Sequence, residues 1–124
     1  MVLADTSVWV DHLALGQARL VELLHDGQVV CHPFVIGELA CGHMRNRREI
    51  LGLLGALPQA RVAEHEELLH LVDRHRLFGR GLGWVDVHLL GSAFLSSCSL
   101  WTRDRALHET ARTLRIAADV ERAR

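Results

Sequence analysis

Val2-Leu3-Ala4-Asp5-Thr6-Ser7 sets three apolar residues directly against three oxygen-bearing ones. Three apolar residues are enough for a short buried strand, and an Asp, Thr or Ser oxygen behind them suits a helix N-cap. The stretch therefore reads as a strand that turns at once into a helix. The same alternation recurs outward along the chain. Helical pattern runs through His12 and again from Gln17 to His25, with Leu20, Leu23 and Leu24 on one face. After the Asp26-Gly27 turn, Val29-Val30-Cys31 predicts a second buried strand, and Pro33 opens a helix reaching about Met44. A further helix is expected from Glu49 to Leu57, ahead of Pro58, and a weak strand over Arg61-Val62-Ala63. Glu64 to Leu77 is helical, and the loop Gly79 to Gly83 leads into a helix from Trp84 to about Ser96. A strand around Cys98 to Trp101, a helix from Asp104 to Leu114 and a last strand over Arg115 to Ala118 complete the series. Strands alternating with helices predict an α/β domain with a central parallel sheet of four to five strands.

Composition bounds the function. The 124 residues are expected to form one domain over 1–124, burying roughly two-thirds of the unfolded surface. Hydrophobic residues at 49% and charged residues at 23% are ordinary globular usage, which argues against disorder. All 14 basic residues are Arg. The absence of Lys excludes Walker-type phosphate loops and Schiff-base chemistry, and the absence of Tyr excludes a catalytic phenol. A net charge of −1 excludes a strongly basic nucleic-acid scaffold, so phosphate contacts must come from local Arg. Arg45, Arg47 and Arg48 form one such cluster, Arg74, Arg76 and Arg80 another. Cys31, Cys41 and Cys98 match no zinc spacing and are expected as buried thiols in a reducing cytoplasm. MVLADTSVWV lacks a basic leader and carries an early Asp, unlike a signal peptide. The apolar stretch from Leu82 to Trp101 holds Asp86, and a central Asp costs about 2.5–3.5 kcal/mol in a membrane span. No membrane segment is expected.

Four acids stand out. In open parallel sheets, ligands bind beyond the C-terminal strand ends. That rule selects Asp5 after the first strand, and Thr102 with Asp104 after the strand ending at Trp101; N-capping alone would explain either acid. Asp86 is the only acid between Leu77 and Trp101, and its helical neighbours Leu82, Gly83, Leu89 and Leu90 are apolar. A carboxylate on such a face needs a cation, a metal or strong donors. Glu38 neighbours Phe34, Val35, Cys41 and Gly42, which is no solvated stripe either. If the four converge, they would not ionise together without divalent cations between them. Hard oxygen donors favour Mg²⁺ or Mn²⁺, and such a cluster suits phosphodiester hydrolysis by metal-activated water.

Asp5-Thr6-Ser7-Val8-Trp9, Val35-Ile36-Gly37-Glu38-Leu39, Gly81-Leu82-Gly83-Trp84-Val85-Asp86-Val87-His88-Leu89-Leu90 and Leu100-Trp101-Thr102-Arg103-Asp104 together resemble the PIN-domain ribonucleases, in particular the VapC toxins of bacterial toxin–antitoxin pairs. The likeness covers essentially the whole chain, and the segment around Asp86 is its most specific part. It implies a three-layer α/β/α fold and a Mg²⁺- or Mn²⁺-dependent endoribonuclease. By position, Asp5, Glu38, Asp86 and Asp104 match the family's acidic, metal-holding site, and Thr102 a hydroxyl beside it. Arg103 is the nearest candidate for steering RNA phosphate. The family also implies a VapB-like antitoxin, an amphipathic segment seated in an apolar groove, and a homodimer. The stretches Leu13 to Leu24 and Phe34 to Met44 are rich enough in apolar residues to build such surfaces.

Competing chemistries fit less well. His65 and His70 lie five residues apart, about 140° around a helix, so they are expected as solvated side chains and not a zinc pair. A haloacid-dehalogenase-type phosphatase needs an Asp where Ser7 stands, and a Lys; a receiver domain needs paired early acids and a Lys. The remaining alternative is a non-catalytic PIN-like module that holds RNA or a protein. No aromatic-rich stacking surface is visible along the chain, so base preference is not legible.

Overall fold

Residues 1–120 are described by the structure, a computed structural model. The first strand, β1 (Val2–Ala4), passes straight into α1 (Thr6–Leu15), because Asp5 takes extended backbone and its carboxylate accepts the amides of Ser7 and Val8. Then follow α2 (Ala18–His25), β2 (Val29–Val30), α3 (Pro33–Ala40), α4 (Arg47–Ala56), α5 (His65–His75), α6 (Trp84–Leu95), β3 (Ser99–Trp101) and α7 (Arg105–Thr113). The α/β order matches the sequence expectation. Between α1 and α2 the chain turns at Gly16, whose φ of 79° lies where glycine is favoured. Pro33 opens α3 under a cap from His32. That helix ends at Ala40, a turn short of Met44, and α4 starts at Arg47 behind a left-handed Asn46.

The sheet is parallel, in the order β2-β1-β3, with Leu3 opposite Val30 on one side and Leu100 on the other. Among the described residues it has three strands, not four to five. The two missing strands are reduced to single bridges, Cys31 with Gln59 and Leu100 with Ala117. On the first edge, pairing ends when the Arg61 amide turns to Ser96 Oγ at 3.0 Å, so Arg61-Val62-Ala63 is no strand. On the other, Arg115 is left-handed and the Ile116 amide closes back on Ala111, which leaves only the stretch from Ile116 to Ala118 to meet Leu100.

Helices pack α1 on α3, α3 on α4 and α5 on α6, while α6 and α7 lie against β3 and α2 against β2. Leu3, Ala4, Leu100 and Trp101 meet Val8, Leu20, Leu89, Leu90 and Leu107 in one core. Cys31 and Cys98 are buried thiols as expected, but Cys41 is exposed at the end of α3. Among the described residues, no helix is long and apolar enough to cross a membrane.

Candidate active site

Parallel strands deliver their C-terminal ends to one side of the sheet, and there the first and last strands meet through side chains. Thr102 Oγ1 donates to Asp5 Oδ2 at 2.6 Å, and the Asp104 amide donates to that same Thr102 oxygen at 3.0 Å. Ser7 Oγ donates to Asp5 Oδ1 and accepts the Arg103 amide at 2.9 Å. Each oxygen of the buried Asp5 carboxylate thus receives a hydroxyl that is itself oriented by an amide of the β3–α7 turn. Ser7 was not singled out from sequence. Its place in a run of capping residues hid a second role that only the approach of β3 creates.

Asp104 caps α7 through Oδ2 on the Leu107 amide at 2.9 Å, and Asp86 accepts the Gly83 amide on Oδ2 at 2.9 Å. Asp5, Asp86 and Asp104 therefore all stand at helix starts, where the positive end of the backbone dipole favours a carboxylate. The capping explanation holds for each of them, and it coexists with a shared field. The Asp86 carboxyl is pushed above the ordinary range, first by burial and then by the charges of Asp104 and Asp5, against a lowering pull from the Gly83 amide. Glu38 is exposed and joins the group from α3 by accepting Thr6 Oγ1 at 2.5 Å, one residue from Asp5.

Asp86, Asp104 and Glu38 each spend one oxygen on these bonds, leaving the other without a hydrogen bond among the described residues. Such donors are hard carboxylate oxygens, of the kind that suit Mg²⁺ or Mn²⁺. No three His, Cys, Asp or Glu side chains among the described residues are set to hold one ion in common. Mg²⁺ keeps several waters and takes only one or two carboxylates directly, so this donor set fits it. Arg103 does not point free for phosphate: its Nε pairs with Asp11 Oδ2 at 3.0 Å. His65 and His70 are both exposed and belong to no such metal group.

A groove of about 450 Å³ runs from this site between α1, α3 and the α3–α4 connection. Val10, Leu13, Leu39, Met44 and Ile50 line it, and Thr6 and Glu38 form its end at the acids. The expected apolar surface is thus present on α1 and α3, whereas Leu20 and Leu23 of α2 are spent in the core.

Sequence reading also missed a chain of rings at the starts of α3, α5 and α6. Phe34 lies 5.2 Å from His32 and 4.4 Å from His88; Trp84 lies 5.4 Å from His88 and 5.4 Å from His65. These residues come from three helices, and their separation in sequence conceals the cluster. His32 is wholly buried: its Nδ1 accepts the Phe34 amide at 2.9 Å, so Nε2 carries the proton toward Ser92 Oγ, also at 2.9 Å. Burial, with some help from the charge on His88, pushes its pKa down to about 4. Burial lowers that of His88 as well, and the buried His88 Nδ1 has no hydrogen-bond partner among the described residues.

Among the described residues a three-stranded parallel sheet packs with seven helices, and the chain belongs to the PIN domain family, whose profile matches residues 2–113. It is similar to Ribonuclease VapC32 of Mycobacterium tuberculosis, in strains CDC 1551 and H37Rv alike. Identity is 55% over 108 residues, which cover 86% of this chain and 87% of the relative.

Proposed function

We propose that this chain is a Mg²⁺- or Mn²⁺-dependent endoribonuclease, the VapC-type toxin of a toxin–antitoxin pair acting in the cytoplasm. The observation that carries this reading is the meeting of Asp5, Asp86 and Asp104 at three helix starts, with Asp86 feeling the charge of the other two. Similarity over most of the chain to a ribonuclease supports the same chemistry. When bound, the divalent ion would supply an activated water and stabilise the leaving oxygen of an RNA phosphodiester. Asp5, Asp86 and Asp104 hold it directly or through water, and Glu38 ligates it or orients the attacking water. Ser7 and Thr102 keep the Asp5 carboxylate in one orientation. Arg103, exchanging Asp11 for a phosphate, steadies the RNA strand.

The α1–α3 groove suits an amphipathic segment of a VapB-like antitoxin, bound in the helix-in-groove mode and ending at Glu38. A homodimer built on the remaining apolar helix faces completes the proposed assembly. A second reading, a non-catalytic module that holds RNA or protein, is favoured by the lack of a ready three-ligand group among the described residues. Incubating the protein with single-stranded RNA separates the two. Cleavage that needs Mg²⁺ or Mn²⁺, stops with chelator and is lost in Asp5→Asn and Asp86→Asn supports the nuclease. Binding without cleavage under all these conditions selects the module, and full activity in excess chelator overturns the metal mechanism.

A further inference from the structure

The ring cluster has no role in the hydrolysis described above, yet it shares two helices, α3 and α6, with the acids. Phe34 precedes Glu38 by one turn of α3, and Trp84 stands two positions before Asp86 on α6, around the helix start from it. The three tryptophans are treated very differently by the fold. Trp9 and Trp101 are 4% and 5% exposed, whereas Trp84 keeps 41% of its surface open at the first position of its helix. Folding demands no indole at an open helix start, where any helix-forming residue would serve. Trp84 is nevertheless held firmly, braced by His88 beneath it on α6 and by His65 from α5. A cation precedes it in the chain: Arg80 lies in the loop that leads into α6 and forms no ion pair among the described residues.

An open, braced aromatic ring with an unpaired Arg ahead of it, on the helix that carries a proposed site acid, has the make-up of a stacking platform for unpaired bases. We propose that Trp84, backed by His88 and His65, is a base-stacking subsite at the start of α6 that takes an unpaired nucleobase of a single-stranded RNA whose chain rounds the helix start from the acids. The proposal rests on the reading of this chain as an RNA-cleaving protein. Stacking here tolerates any base, because every base has a π-face; it selects unpaired over paired RNA.

Trp84 is also the reporter, since the other two indoles are buried. In the Asp86→Asn protein, with Mg²⁺ present, acrylamide should quench the emission of Trp84 and spare Trp9 and Trp101. A short mixed-sequence single-stranded RNA should shield that emission, whereas a chain of abasic ribose phosphates of equal length should bind without shielding it. In the same background, Trp84→Ala should weaken RNA binding about tenfold and leave abasic binding unchanged, and Trp84→Phe should keep most of the affinity, which guards against a folding loss. RNA that is bound and, by the protein with Asp86 intact, cut while Trp84 stays open to acrylamide overturns the stacking subsite alone. An equal loss of RNA and abasic binding in Trp84→Ala does the same, and so does shielding by a polypeptide but not by RNA. Failure of any RNA to bind overturns both this proposal and the nuclease reading.

Discussion

Thr102 reaches back 97 positions in sequence to place its hydroxyl 2.6 Å from Asp5 Oδ2, while accepting the amide of Asp104 on the same oxygen. One hydroxyl therefore ties the first strand to the start of α7 and orients a buried carboxylate.

Removing that hydroxyl should cost both stability and activity. Thr102→Ala leaves a carboxylate oxygen and an amide without partners, a loss of about 1–3 kcal/mol. Cleavage of RNA should fall roughly 10–100-fold, as is usual when the support of a metal-holding residue is lost. Thr102→Ser should keep most of both. Denaturant midpoints and initial cleavage rates check the pair, and an Ala variant as active as the parent would dissociate Thr102 from the site.

Asp86 should behave in the opposite sense in divalent-free buffer. Its folded pKa is raised, mainly by burial, so the folded state loses stability as pH rises through the unfolded value and then the folded one. At neutral pH the ionised carboxylate is a burden. Asp86→Asn removes the charge and retains an oxygen for the Gly83 amide, so the thermal midpoint at pH 7 should rise by a few degrees. The gain should vanish below the ordinary carboxylate range. A lowered midpoint at pH 7 would mean that Asp86 is paired by a cation and not crowded by acids.

His32 gives the fold an acid-sensitive element. The unfolded chain takes up this proton near pH 6.5, whereas the folded chain resists it until about 4. Stability is full above 6.5 and declines as pH falls toward 4, by ~3 kcal/mol in total. His32→Asn keeps an acceptor for the Phe34 amide but loses the bond to Ser92, so it should be less stable at pH 7 by about 1–3 kcal/mol. Its stability should also fall less steeply between pH 6.5 and 4.5. Parallel pH-dependent unfolding curves for variant and parent would show that His32 does not carry this slope.

Gly91 tests the seam between α5 and α6. A Cβ there would lie 2.3 Å from Leu68 Cδ2, beside a small cavity of about 80 Å³ that both residues line. Gly91→Ala gains about 1 kcal/mol of helix propensity, but displacing the buried Leu68 side chain costs about 1–3 kcal/mol. A net loss of about 1 kcal/mol is expected by chemical denaturation. A variant more stable than the parent would mean that Leu68 moves aside freely.

Asp5, Asp86 and Asp104 were legible in sequence because each coincides with a local signal, a strand end or a helix start, that needs no tertiary knowledge. Glu38 was legible only by its apolar neighbours, and it proves to be exposed and held by Thr6. What stayed hidden arises from approach in space. Ser7 acquires its second partner only when Arg103 arrives on β3's heels, and Arg103 is claimed by Asp11, which carries no sequence mark of that pairing. The edge strands were overread for the converse reason: Arg61-Val62-Ala63 has the right residue types, but the Arg61 amide finds Ser96 before it finds a strand.

The parallel order β2-β1-β3 has a consequence for the time at which the site comes into being. Synthesis proceeds from the N-terminus, so β1 can settle beside β2 while most of the chain is still being made. Asp5 at that stage has Ser7 but neither Thr102 nor the amides of the β3–α7 turn. The acids from α6 and α7 arrive only after 86 and 104 residues have been made. A nascent chain that stops short of α7 therefore lacks the assembled carboxylate site, which comes into being only after β3 and the turn behind it have emerged.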